Sequence, residues 1–151
     1  GLALKRAAAC VGDDIYVSGS LGDARLALEV FRGGVALDAA AFTRVRERME
    51  RPTPRLTLGL ALRGVAHAAA DISDGLSGDL GHILRASGVG ATLQAAALLR
   101  ATSDDLRSSG DPLALEYALT GGDDYELVFT APPHHRTLAF NLPPDLPILP
   151  T

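Results

Sequence analysis

The sequence predicts an α/β (broadly α+β) domain: a central mixed sheet with helices packed on it. Strand-like stretches at 13–19, 65–73 and 125–131 alternate with helical apolar spacing at 21–31, 76–85 and 112–120. Glycine or proline punctuates the handovers, as in Gly33–Gly34, Pro52, Pro54 and Gly121–Gly122. Of 151 residues, 47% are hydrophobic and 21% charged, enough apolar side chain for one sizeable core. Alanine and leucine dominate and Trp is absent, so that core is expected to be aliphatic.

"DDIYVSG" alternates and ends on glycine, a strand entering a turn. Ser20 is a suitable cap for a helix from Leu21 to Phe31, whose inward face would be Leu21, Ala24, Leu28 and Phe31. Asp23 would then sit near the positive end of the helix dipole. Asp38 caps a second helix through "AAAFTRVRERME", which "RPTPR" breaks because proline cannot continue a helix. "LTLGLALRG" is a short helix with Leu56, Leu60 and Leu62 turned inward. "VAHAAADIS" reads as a buried strand, with helix as the competing assignment because alanine is a poor strand former. Apolar residues 76, 80, 83 and 84 repeat at helical spacing until "ASGVG", after which "VGATLQA" (89–95) reads as another strand. Residues 102–112 form a loop with one helical turn, and 112–120 a helix closed by Gly121 and Gly122. "YELVFTA" is a strand with Tyr125, Leu127 and Phe129 on one face, followed by a short helix and a proline-rich exit.

Several function classes fall away. Net charge is −4 and no basic stripe alternates with aromatics, so nucleic acid is not an expected partner. Arginines 44, 46, 48, 51 and 55 form one local basic patch, for which a solvated helix face is sufficient explanation. A single cysteine, Cys10, excludes an internal disulfide and a zinc cage built from cysteines, and fits a reducing compartment. No apolar run reaches the length of a membrane span, so neither membrane insertion nor a signal peptide is expected. His134–His135 reads as an exposed loop pair and His67 as a satisfied core or interface residue. Both ends, Gly1 and "NLPPDLPILPT", read as interior sequence, so a longer polypeptide is expected.

The chemistry concentrates in "DISDGLSGDLG". If a strand ends near Asp71 and a helix starts near Gly75, then Asp71, Ser73 and Asp74 project from one tight turn at a strand's carboxyl end, where open α/β sheets place ligands. Free N–H groups at a helix start suit phosphate, and carboxylates there would repel it unless a cation lay between. Hard oxygen ligands with phosphate as co-ligand describe Mg²⁺. The alternative is capping, with Ser73 or Asp74 as N-cap and Asp79 on the helix surface. A second acidic turn, "TGGDDYEL", offers Asp123 and Asp124 behind two glycines; a glycine cap followed by turn-forming aspartates is its plain reading. Neither turn is a Walker loop or a dinucleotide fingerprint.

"DISDGLSGDLGHILRASGVGA" and "ALTGGDDYELVFT", with "VSGSLGDARLAL" and "RPTPRLTLG" in order, closely resemble the thiamine-monophosphate kinase family of the aminoimidazole-ribonucleotide synthetase superfamily. The resemblance covers residues 4–130. It implies that 1–151 is a carboxy-terminal domain, and that an amino-terminal domain supplies dimerisation, most magnesium-binding aspartates and the main ATP contacts. It also implies a cytoplasmic homodimer that uses ATP, Mg²⁺ and thiamine monophosphate to make thiamine diphosphate, with this domain inactive alone. Carried over by position, Asp71 and Asp74 are magnesium ligands, Ser73 is an ATP contact, and no residue acts as a catalytic acid or base. Asp123 stands where the family usually has a Glu that touches the thiamine moiety, one methylene shorter. Asp124, Tyr125 and Glu126 match the family's Asp-Tyr-Glu. Two other readings stay open: a non-catalytic small-ligand or dimerisation module derived from this domain, and a superfamily member acting on a different phosphorylated substrate.

Overall fold

The structure is a computed structural model that describes residues 3–136 and 148–149. Among these residues four strands form one sheet in the order β2-β3-β1-β4: β1 (Asp14–Val17), β2 (Ala68–Ile72), β3 (Glu126–Ala131) and β4 (Ile148–Leu149). They pair antiparallel, with Tyr16 opposite Phe129, Ala70 opposite Val128 and Ile15 opposite Leu149. One parallel bridge, Lys5 with Ala68, gives the sheet its mixed character. The alanine-rich 68–72 stretch is thus a strand, because β3 provides a full-length partner for its backbone. The short helix expected beyond His135 lies outside the described residues; Pro133–His135 is a single 3₁₀ turn.

Among the described residues seven helices surround the sheet: α1 (Asp23–Phe31), α2 (Ala39–Glu50), α3 (Leu56–Ala61), α4 (Leu76–Ser87), α5 (Ala95–Arg100), α6 (Asp104–Arg107) and α7 (Asp111–Thr120). Strand side chains alternate between two buried faces. Ile15, Val17, Ala70 and Val128 pack with Leu76, Leu80 and Ile83 of α4 and with Ala97 and Leu98 of α5. Tyr16 and Phe129 face the other way, onto Leu58 and Leu62, with rings stacked 5.0 Å apart. A third cluster joins Leu26, Ala27, Val45, Leu106 and Ala114 between the outer helices.

Four sequence expectations are corrected. Ser20 does not cap α1: Gly22 holds that position, and the Ser20 hydroxyl donates to Asp23 at 2.7 Å. The buried face of α1 is Ala24, Leu26 and Ala27, while Phe31 is exposed, because α2 packs across the helix on a neighbouring stripe. Leu62, just past α3, is buried as expected, but the inward residue of α3 itself is Leu58; Leu56 and Leu60 are 75% and 58% exposed. Residues 89–95 do not form a strand. The alanines of "AAALLR" favour a helix, and the sheet pairs as β2-β3-β1-β4 without this segment. Asp38 caps α2 as expected, accepting from the Ala41 N–H at 2.8 Å.

Candidate functional site

Asp71 is the fourth residue of β2, and Ser73, Asp74 and Gly75 form the turn into α4. Gly75 is the residue before the helix, at φ 100°, and no side chain caps it. The capping task is done from inside the helix. Asp79, buried at 2% exposure, folds back so that one carboxylate oxygen accepts the Ser73 N–H at 2.9 Å and the Asp74 N–H at 3.0 Å. Asp79 is therefore not helix surface, and Ser73 and Asp74 are not caps. Among the described residues the Asp74 carboxylate and Ser73 hydroxyl make no hydrogen bond or ion pair, and Asp71 has only a loose contact with Arg6 at 3.7 Å, both side chains more than half exposed.

The second acidic turn is stitched to the first by main chain. The Asp123 N–H donates to the Ser73 carbonyl at 3.0 Å and the Tyr125 N–H to the Ile72 carbonyl at 2.9 Å. Contact is so close that a Cβ on Gly122 would lie 2.5 Å from the Ser73 carbonyl oxygen, and one on Gly75 2.9 Å from that of Leu119. Asp123 and Tyr125 take positive φ, 66° and 50°, conformations uncommon for non-glycine residues. The two acidic turns, whose joined residues Ser73 and Asp123 lie 50 positions apart in the sequence, are one structural unit. Gly122→Ala should force them apart and cost about 1–3 kcal/mol, read by thermal unfolding; an unchanged Tm would refute the tight docking.

Three of the predicted acids converge on one aromatic ring. Asp123 lies nearest, its carboxylate accepting from the Tyr125 hydroxyl at 3.3 Å. Its charge and that hydrogen bond push the hydroxyl pKa up, and Asp71 and Asp74 push in the same direction. Beside them opens a groove of about 710 Å³ whose walls include Leu56, Leu60, Asp71, Tyr125 and Leu127. The leucines that α3 leaves exposed are thus the groove's lining, and Tyr125 stands outside β3 to join it.

Below this surface, Asp124 and Glu126 point inward. Both Asp124 oxygens accept the Gly22 N–H, at 3.1 and 2.9 Å, fastening the turn to the β1–α1 loop. Burial pushes its carboxyl up to about 7, against the opposing hydrogen bond from Gly22. Glu126, 1% exposed, accepts from Arg55 at 2.7 and 2.6 Å, and from Arg48 and the Ser18 hydroxyl. Burial works to raise the Glu126 carboxyl, and the hydrogen bonds from Arg55, Ser18 and Arg48 overcome it and hold it low. Two members of the basic patch are therefore internal partners rather than a solvated face. Arg44 and Arg46 do lie on the surface, paired with Asp105 and Glu50.

A family model described as AIR synthase related protein, C-terminal domain, matches residues 11–140. The chain belongs to this family. Within the AIR synthase-related family its relatives are specific in kind. A thiamine-monophosphate kinase of Salmonella typhimurium is 45% identical over 137 residues, 90% of this chain and 42% of that protein. The crystal structure of thiamine-monophosphate kinase from Stenotrophomonas maltophilia superposes with a TM-score of 0.90 at 47% identity, covering 99% of this chain and 49% of that one. A structure of AaThiL complexed with AMPPCP and TMP superposes with a TM-score of 0.82 at 31% identity, covering 97% and 47%. The AIR synthase-related chain thus spans about two fifths of the curated relative and half of each matching structure. No helix among the described residues is long and apolar enough to cross a membrane.

Proposed function

We propose that residues 1–151 are the carboxy-terminal domain of an ATP- and Mg²⁺-dependent thiamine-monophosphate kinase. The observation that carries this reading is the stitched pair of acidic turns, which gathers Asp71, Asp74 and Asp123 around Tyr125 with their carboxylates facing outward. Thiamine-monophosphate kinases match 90% of the chain at 45% identity and 99% of it at 47%, and a relative's structure is a complex with AMPPCP and TMP. In the complete polypeptide an amino-terminal domain completes the site and makes a cytoplasmic homodimer.

The residues present suit the implied metal. Asp71 and Asp74 are exposed hard-oxygen donors, and the buried Asp79 has already taken over the turn's own N–H groups. Asp71 and Asp74 would hold Mg²⁺, which when bound neutralises phosphate charge. Ser73 would meet the nucleotide; among the described residues its hydroxyl makes no hydrogen bond. Asp123 and Tyr125 face the substrate, and their mutual hydrogen bond fixes the carboxylate's direction despite its short reach. In the reaction an oxygen of the thiamine monophosphate phosphate forms the new bond to the ATP γ-phosphorus as the bond to the bridging β–γ oxygen breaks, releasing ADP. The acceptor oxygen is ionised at neutral pH, so no side chain need remove a proton. The domain's task is alignment and charge placement.

The test uses the full-length polypeptide containing this domain. With Mg-ATP and thiamine monophosphate it should form thiamine diphosphate. Asp71→Asn and Asp74→Asn should each lower turnover at least about tenfold, a loss typical of groups that support a metal, and raise the Mg²⁺ needed for half-maximal rate. Absence of the diphosphate product overturns the kinase assignment; unaltered magnesium dependence in both variants overturns the metal roles.

A further inference from the structure

We propose that Cys10, Asp13 and His67 form a second metal site, one for a zinc-class divalent ion, at the end of the sheet remote from the acidic turns. The sequence gives no sign of it, since Cys10 has no metal-binding spacing around it. Folding supplies the partners. The ligand atoms of the three residues all lie within 4.8 Å of one another. His67 immediately precedes β2, whereas Asp71 is that strand's fourth residue, a separation of about 13 Å along extended chain.

The three donors are held by local structure. The Asp13 N–H donates to the Cys10 carbonyl at 3.1 Å and the Cys10 N–H to the Asp13 carboxylate at 2.9 Å, a tight turn that keeps the thiol near the carboxylate. His67 is tethered across the sheet, its N–H donating to the Thr130 carbonyl at 2.8 Å and its Nδ1 lying 2.9 Å from both Asp13 oxygens. A histidine–aspartate pair alone needs no metal. The cysteine as third donor and a second observation take the site further. Cys10 and Asp13 line a cavity of about 450 Å³ together with Thr130, which is 1% exposed. Among the described residues the buried Thr130 hydroxyl oxygen has no hydrogen-bond partner, so the wall of that cavity carries an unsatisfied polar group.

The donor set selects the ion. Thiolate, imidazole and carboxylate together suit Zn²⁺ over Mg²⁺, and three protein ligands leave a fourth position open to water. Ligand atoms around a tetrahedral zinc lie roughly 3.3–3.8 Å apart, so the Nδ1–carboxylate pair at 2.9 Å must open slightly and any pair near the 4.8 Å limit must close, a movement that exposed Cys10 is free to make. On binding, the thiol proton passes to solvent and the sulfur–metal bond takes its place.

The test is titration of the metal-free, reduced protein with Co²⁺ as the spectroscopic probe. One equivalent should produce a thiolate-to-cobalt charge-transfer band that Zn²⁺ removes stoichiometrically and a large excess of Mg²⁺ does not. Cys10→Ser, a change at an exposed position, should abolish the band and weaken Zn²⁺ binding at least about tenfold. His67→Gln should weaken it to a similar extent. A missing charge-transfer band in the unmodified protein, or a zinc affinity indifferent to either substitution, overturns the proposal. This readout is independent of kinase activity.

Discussion

Glu126→Ala is expected to cost the domain about 3–5 kcal/mol of stability, the range for removing one partner of a buried ion pair. Glu126 is 1% exposed, and Arg48 and Arg55 converge on it from the end of α2 and the residue before α3. Truncation leaves two guanidinium groups facing a void and takes from Ser18 the acceptor of its hydroxyl, although Ser18 would still accept the Leu127 N–H. Urea unfolding measures the loss, and Glu126→Gln, which keeps the volume and part of the hydrogen bonding, should lose less than the alanine variant. A loss under about 1 kcal/mol would mean that water replaces the carboxylate with little penalty. The pH sign follows from the lowered carboxyl. Its stabilisation is present above the ordinary glutamate value of 4.5 and fades as pH falls through the still lower folded value.

Asp124 behaves in the opposite sense. Burial raises its carboxyl from 3.8 to about 7, so the folded state favours the protonated form. That contribution is complete below the unfolded value near 3.8 and is lost as pH rises through about 7. Three units correspond to about 4 kcal/mol. Asp124→Asn, which retains an acceptor for the Gly22 N–H, should therefore be more stable than the unmodified protein at pH 8, and the advantage should vanish toward pH 4. Denaturant unfolding of both proteins across that range is the measurement. Parallel stability curves would mean that Asp124 is charged at no cost where it sits.

Much of this domain is readable before folding because its signals are local. The spacing of Leu76, Leu80 and Ile83 gives α4, Asp38 gives the start of α2, and the Asp71–Gly75 turn falls between β2 and α4 as its residues require. Failures occur where a residue's neighbours come from distant sequence. Leu56 and Leu60 fit a helical stripe as well as Leu58 and Leu62 do, and only the position of Tyr16 and Phe129 decides between them. "VGATLQA" has strand-like residues, but it runs into the alanine-rich helix α5 and, among the described residues, pairs with no strand. Arg48 and Arg55 look like surface charges until Glu126, 78 and 71 residues away, is brought beneath them. Asp79 reads as ordinary helix surface because reaching back to Ser73 and Asp74 is a property of the folded turn, with no mark in residue type.

The bonds that join the two acidic turns run between peptide groups, Asp123 to Ser73 and Tyr125 to Ile72. These joining bonds consequently use no side-chain atom of residue 123. On the proposed function, residue 123 would then trade reach for reach, aspartate against the longer glutamate, without breaking the bonds that join the turns. Selection can edit the fingertips of such a hand without rebuilding the palm.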